Sequence, residues 1–304
     1  MAAGAINIAV LARSAEERIA EAALFIMAVL PVVELILRIF FNTGIAGSTS
    51  YVQHLTLWVG FLGAIVAARS KQHLTFIPTL AFLPPAWQRK AAVFSASVSA
   101  TVALGLALAS VQFVYSQIDA PTRVAGWLPI WVLQLILPLC FTIIAFRCVI
   151  DAGAWTARAV AALSSAAAIA IPLVLSAHAP NMLWPGFIAL TLAALCGAPI
   201  FVVLAGAPLL LFFADGSPIA SIPVETYRLV VSPTIPTIPL FALTGYILAE
   251  GGASRRLLRL LSALFGWLPG GLPIVAVLLC AFFTTFTGAS GVTILALGGL
   301  LLPV

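Results

Sequence analysis

Charge is what this sequence has least of. Only 8% of its 304 residues are Asp, Glu, Lys or Arg, where a soluble globular domain carries about 25%. No soluble core absorbs a chain that is 63% hydrophobic, with a mean hydropathy of +1.19. The composition therefore defines a polytopic integral membrane protein. Short segments of alternating polarity, which a transmembrane β-barrel needs, are missing. The apolar runs are long, so helices must satisfy the backbone in lipid and the expected fold class is all-α. Cysteine is scarce too. Cys140, Cys148, Cys196 and Cys280 lie in or beside apolar runs with no CxxC spacing, which speaks against zinc and against a disulfide framework. His73 has no second metal ligand at usable spacing. The net charge of +5 is not gathered into a basic patch, so no nucleic-acid partner is expected; it suits loops that face anionic membrane lipids. No ATP-binding motif is present, and no cofactor is expected.

Against that background, five spans are expected at 20–41, 51–68, 91–115, 128–150 and 159–178, each close to the roughly 20 residues that a bilayer core demands. Arg13, Glu16, Glu17 and Arg18 precede the first run, which holds Glu34 and Arg38 and lacks a small-residue cleavage site; it reads as a retained helix rather than a signal peptide. Arg69, Lys71, Arg89 and Lys90 lie between spans two and three, and Arg147 and Arg158 follow span four. The intervening loops hold only Arg123. The positive-inside rule then puts the N-terminus in the cytoplasm and Asp119 and Asn181 outside. Trp127, Trp131, Trp155 and Trp184 fall near predicted helix ends, where aromatic belts sit. Ser95, Ser99, Gly105 and Ala109 suit close helix packing.

Beyond residue 180 the helices are expected to be interrupted. The run 183–213 is cut by Gly197-Ala198-Pro199; the run 232–249 carries Pro233, Pro236 and Pro239; the run 272–302 is broken by Thr287-Gly288-Ala289-Ser290-Gly291. Proline and glycine free backbone groups at membrane depth. Three breaks in succession point to a transporter's binding region rather than to ordinary membrane-helix composition.

At these residues the chain resembles a known family. PLFALTGYILAEGGASRRLLRL (239–260) and GWLPGGLPIVAVLLCAFFTTFTGASGVTILALGGLLLP (266–303) are similar to the large (M) subunit of tripartite ATP-independent periplasmic (TRAP) transporters. ELILRIFF (34–41), LWVGFLGAIVAARSKQH (57–73) and GWLPIWVLQLILPLCFTIIAFR (126–147) resemble the small (Q) subunit. Gln53-His54 stands where many small subunits carry an acidic pair. The resemblance implies a natural fusion: residues 1–155 as a four-helix small-subunit-like module, 156–180 as a connecting transmembrane helix, and 181–304 as the first repeat of the permease domain. The second repeat of that domain is missing from the sequence, so a C-terminally truncated piece that does not transport alone is expected. The resemblance further implies a secondary active importer in the bacterial inner membrane, with Na+ as coupling ion. Its substrate would be a carboxylate-bearing organic acid, such as a C4-dicarboxylate, delivered by a periplasmic substrate-binding protein.

The third break is the candidate site. Thr287, Gly288, Ser290, Gly291 and Thr293 are expected at the tip of a re-entrant hairpin, offering hydroxyls and glycine-exposed carbonyls to Na+ and substrate. The competing reading is a packing kink without a ligand. A rhomboid-like intramembrane serine protease is a remote reading of Gly288-Ala289-Ser290-Gly291. It fails on chain order, because His54, His73 and His178 all precede Ser290 and the base would have to follow it. A non-transporting membrane scaffold is the other alternative. Glu34 and Arg38 share a helix face; Arg38 is expected to snorkel and Glu34 to bond a neighbouring helix. Arg255, Arg256 and Arg259, beside Gly251-Gly252, are expected to meet lipid headgroups or steer an anionic substrate.

Overall fold

The computed structural model describes residues 2–70, 84–119, 122–174, 183–267 and 269–287. They are almost wholly helical, and they fall into two compact units, residues 1–231 and 232–304. In the first unit, α1 (Ala2–Phe41), α2 (Ser48–Ser70), α3 (Pro85–Gln117), α4 (Ile130–Gln134) and α5 (Ile136–Asp151) form a bundle with α3 at its centre. Among the described residues, four stretches are long and apolar enough to cross a membrane: Ala15–Phe41, Ser48–Arg69, Trp87–Gln117 and Ile130–Asp151. Their inward faces supply one core of Leu57, Leu62, Ile65, Leu137, Cys140 and Ile144. Residues such as Phe25, Ile39 and Phe146 point outward, as lipid contact requires. Ser95, Ser99 and Ala109 are buried on α3, as their small size predicts. Pro138 has no N–H to give the carbonyl of Gln134, so the fourth span divides into α4 and α5 at Leu135.

The two ends of the bundle differ chemically. At one, Arg69 pairs with Glu17, and Arg147 donates to both carboxylate oxygens of Glu16 at 2.6 and 2.7 Å and to the carbonyl of Ile65. At the other, a two-stranded ribbon of β1 (Arg123–Val124) and β2 (Leu128–Pro129) closes the bundle. Its turn places Ala125 and Gly126 at φ 51° and 82°. Gly47 lies so close that an added Cβ would come within 2.8 Å of the Ala125 Cβ. Trp127 at this turn donates to the Tyr51 hydroxyl at 2.7 Å.

The helix α6 (Trp155–Val174) follows, packed on α3 and α5 with Ala161 and Ser165, one turn apart, buried. It occupies most of the expected fifth span; residues 175–178 of that span, with His178, lie outside the described residues. Next, the run 183–213 is not a kinked span but a reversal. The helices α7 (Leu183–Leu195) and α8 (Ile200–Ala214) turn at Gly197, φ 81°. Gly186 faces Leu210, and Gly206 faces Leu190, which is the pairing of antiparallel helices. At 1.5 Å per residue each arm is about 20 Å long, short of the roughly 30 Å hydrocarbon core. Val102, Leu106, Leu190, Ala193 and Val202 form the core joining this hairpin to α3. The amphipathic α9 (Ser221–Val230) completes the unit against α2 and α3.

This packing makes a prediction. A Cβ on Gly206 would approach Leu190 to 2.7 Å and Val102 to 3.0 Å. Gly206→Val should therefore destabilise the chain by about 1–3 kcal/mol through overpacking. Gly60, with nothing within 4 Å of the same probe atom, should accept Ala without loss. Thermal unfolding of both variants in nanodiscs checks the pair.

Among its described residues, the second unit holds a cluster of α10 (Thr237–Glu250), α11 (Ala253–Phe265) and α12 (Gly271–Thr287). The proline run falls at its start: Pro233 and Pro236 lie in the turn before α10, and Pro239 lies in the first turn of α10, where a missing N–H costs nothing. Gly252, φ 77°, opens α11. Leu279 and Phe283 of α12 are fully buried against Leu248, Leu257, Leu258 and Leu261, while Arg255, Arg256 and Arg259 are exposed on α11.

Candidate functional site at the end of the twelfth helix

The helix α12 is apolar for three turns and then becomes hydroxyl-bearing: Thr284, Thr285 and Thr287 lie in its last turn. With Leu279 and Phe283 turned into the cluster, the other side of α12 opens on a shallow groove of about 610 Å³. Ala276, Val277, Cys280, Ala281, Thr284 and Thr285 line it. The small residues leave the groove room, and the threonines give it its only side-chain oxygens. Thr284 donates to the carbonyl of Cys280 at 2.7 Å and Thr285 to that of Ala281 at 2.9 Å. Cys280 and Thr284 follow one another at helical spacing along this face. Thr287 is the last residue of α12 that the structure describes. Gly288, Ser290, Gly291 and Thr293 lie outside the described residues.

Other sequence-flagged groups take different roles. Glu34 and Arg38 pair with each other at 2.7 Å; Glu34 does not bond a neighbouring helix as expected. Arg38 is exposed at the helix end, in keeping with the expected snorkelling, and its head reaches back one turn. The second carboxylate oxygen of Glu34 has no hydrogen-bond partner. Lys71 and His73 lie outside the described residues, as does Asn181. The four cysteines are free thiols, with Cys140 buried. Among the described residues, no group of three or more His, Cys, Asp and Glu side chains could hold a metal ion. Sequence reasoning passed over Tyr227, which meets His54 in the first unit, and the buried Gln134. The available signal was Gln134 itself, an amide inside an apolar run four residues before a proline.

A bundle with four helices long and apolar enough to cross a membrane, followed by a short apolar helical hairpin, suits a membrane carrier component. Comparison with known proteins identifies which. Residues 27–158 match the family described as tripartite ATP-independent periplasmic transporters, DctQ component, and residues 186–304 match the DctM component of the same transporters. The chain belongs to the TRAP transporter permeases, with both membrane components in one polypeptide. These components are not enzymes. One relative is the isethionate TRAP transporter permease protein DctMQ of Oleidesulfovibrio alaskensis, 29% identical over 81% of this chain and 40% of that protein. The C4-dicarboxylate TRAP transporter large permease protein DctM of Rhodobacter capsulatus is 33% identical over 36% of this chain and 25% of its own length. The corresponding protein of Pseudomonas aeruginosa is 35% identical over 32% of this chain and 22% of its own length. The chain thus spans well under half of the curated relatives it matches.

Proposed function

We propose that this chain is membrane machinery of a secondary active importer. The importer uses an inward Na+ gradient to move a small organic anion handed over by a periplasmic substrate-binding protein. The observation that carries this reading is the change of character along α12. An apolar helix acquires Thr284 and Thr285 on an open groove in its last turn, directly before Thr287-Gly288-Ala289-Ser290-Gly291 in the sequence. In this reading Thr287, Ser290 and Thr293, with carbonyls exposed at Gly288 and Gly291, contribute oxygens to the cation and substrate. Glycine permits the reversal, and a helix restarting near Val292 would present N–H groups and its positive dipole end to the anion. The cluster of Arg69 and Arg147 supports an inner-membrane orientation with that end, and the N-terminus, in the cytoplasm. Arg255, Arg256 and Arg259 would then meet anionic lipid headgroups.

The substrate is an organic anion with one or two carboxylates. The fused relative's isethionate, a sulfonate, supports a competing class. Competition separates them: in cells expressing the full-length carrier with its binding protein, unlabelled C4-dicarboxylates should reduce uptake of labelled succinate, and isethionate should not. Inhibition by isethionate alone, or uptake of labelled isethionate without succinate, would move the assignment to sulfonates.

A further inference from the structure

One polar chain in the first unit serves none of the functions above. His54 lies on α2, Gln134 is the last residue of α4, and Tyr227 lies on α9. The first two belong to the DctQ-like part and the third to the DctM-like part. The ring nitrogens of His54 are both engaged at 2.7 Å, Nδ1 with the carbonyl of Ser50 and Nε2 with the hydroxyl of Tyr227. A carbonyl can only accept, so Nδ1 carries the proton and the neutral ring accepts at Nε2 from the Tyr227 O–H. The direction of both bonds is thereby fixed, from Tyr227 to His54 to Ser50. His54 is 5% exposed and Gln134 1%, Tyr227 is half-buried, and the Phe113 ring lies against Tyr227 at 5.7 Å.

We propose that this hydrogen-bonded chain is the recognition element by which the DctQ-like helices hold α9 of the DctM-like part. Much of what surrounds it is apolar side chain against apolar side chain. In lipid such contacts discriminate poorly between registers, because acyl tails are as apolar as leucine. A directional pair of bonds, from Tyr227 to His54 and from His54 to the Ser50 carbonyl, accepts one partner in one orientation, and a wrong register leaves the buried His54 ring nitrogen unpaired.

The test uses the full-length carrier in nanodiscs, with a protease site placed in the connection between residues 175 and 182. After folding, the connection is cut and the rate at which the DctM-like part leaves a tagged DctQ-like part is measured. Tyr227→Phe keeps the ring and its contact with Phe113 and removes only the hydroxyl; His54→Phe removes the acceptor. Each should speed release about tenfold, and the double variant should release no faster than the faster single one, because both break the same chain. Thr226→Val, whose hydroxyl bonds only the carbonyl of Ile222 within α9, should release as wild type does. Should Tyr227→Phe fail to accumulate, His54→Phe and His54→Leu carry the comparison. Release at the wild-type rate by both single variants overturns the proposal. So do effects that multiply in the double variant, or immediate release of the uncut-competent wild type once it is nicked.

Discussion

Thr287→Val and Ser290→Ala, made in the full-length carrier with its binding protein, are each expected to raise the Na+ concentration for half-maximal uptake about tenfold. Removing one oxygen from a small cation's shell loses an interaction of about 1–2 kcal/mol, and 1.4 kcal/mol corresponds to tenfold. Both substitutions nearly conserve volume, so expression and membrane insertion should stay at wild-type level. Thr284→Val supplies the comparison within the same helix. Its hydroxyl already bonds the Cys280 carbonyl and lies a full turn short of the glycines, so its effect should be smaller. Wild-type Na+ dependence in both Thr287→Val and Ser290→Ala would make the glycine-rich break a packing feature.

Arg147→Met is expected to lower stability by about 2–3 kcal/mol. The guanidinium bridges α1 and α2 from α5: it holds both oxygens of Glu16 and the carbonyl of Ile65, with 18% of its side chain exposed and 23% of that of Glu16. Breaking a fully buried pair costs about 3–5 kcal/mol because one charge is left without compensation; partial exposure reduces that. Methionine keeps most of the apolar stem, so the loss isolates the charge. Adding Glu16→Gln should recover part of it, since the orphaned carboxylate is then gone. Arg228→Met tests the distinction. Its partner Glu225 lies three residues away on the surface, with 70% and 53% of the two side chains exposed, and its loss should cost no more than about 0.5 kcal/mol. Thermal unfolding in nanodiscs reads all three; equal shifts for Arg147→Met and Arg228→Met would contradict the account.

The uninterrupted spans were legible because hydropathy alone determines them. The starts and ends of α2 and α3 fall within a few residues of the expected 51–68 and 91–115, apart from the added turn at the start of α3. Charge placement was legible for the same reason: Arg69 and Arg147, assigned to one side, share one end of the bundle. Their partners were not, since Glu16 precedes Arg147 by 131 residues and no local pattern links them. The break at Gly197-Ala198-Pro199 was visible as a break. That it reverses the chain depends on Gly186 and Gly206 admitting Leu210 and Leu190, and such pairing emerges only when two segments are brought together. The division of the fourth span at Leu135 was written in Pro138, a residue read as part of a continuous run. Tyr227 escaped notice because its partner His54 lies 173 residues away and α9 is too short and polar to register as a span. Of the candidate site, the glycine-rich stretch after Thr287 lies outside the described residues, and the structure adds the groove with Thr284 and Thr285 on α12 before it.

The central claim is coupling of organic-anion entry to Na+ through a binding protein, and one measurement addresses it directly. The full-length carrier is reconstituted in proteoliposomes, and accumulation of labelled succinate is followed with and without the binding protein outside. Each condition is run under an inward Na+ gradient and under an equal K+ gradient, with no ATP present. The account predicts accumulation above the external concentration only when binding protein and Na+ gradient are both supplied. Equal accumulation under the K+ gradient, or without the binding protein, would contradict it.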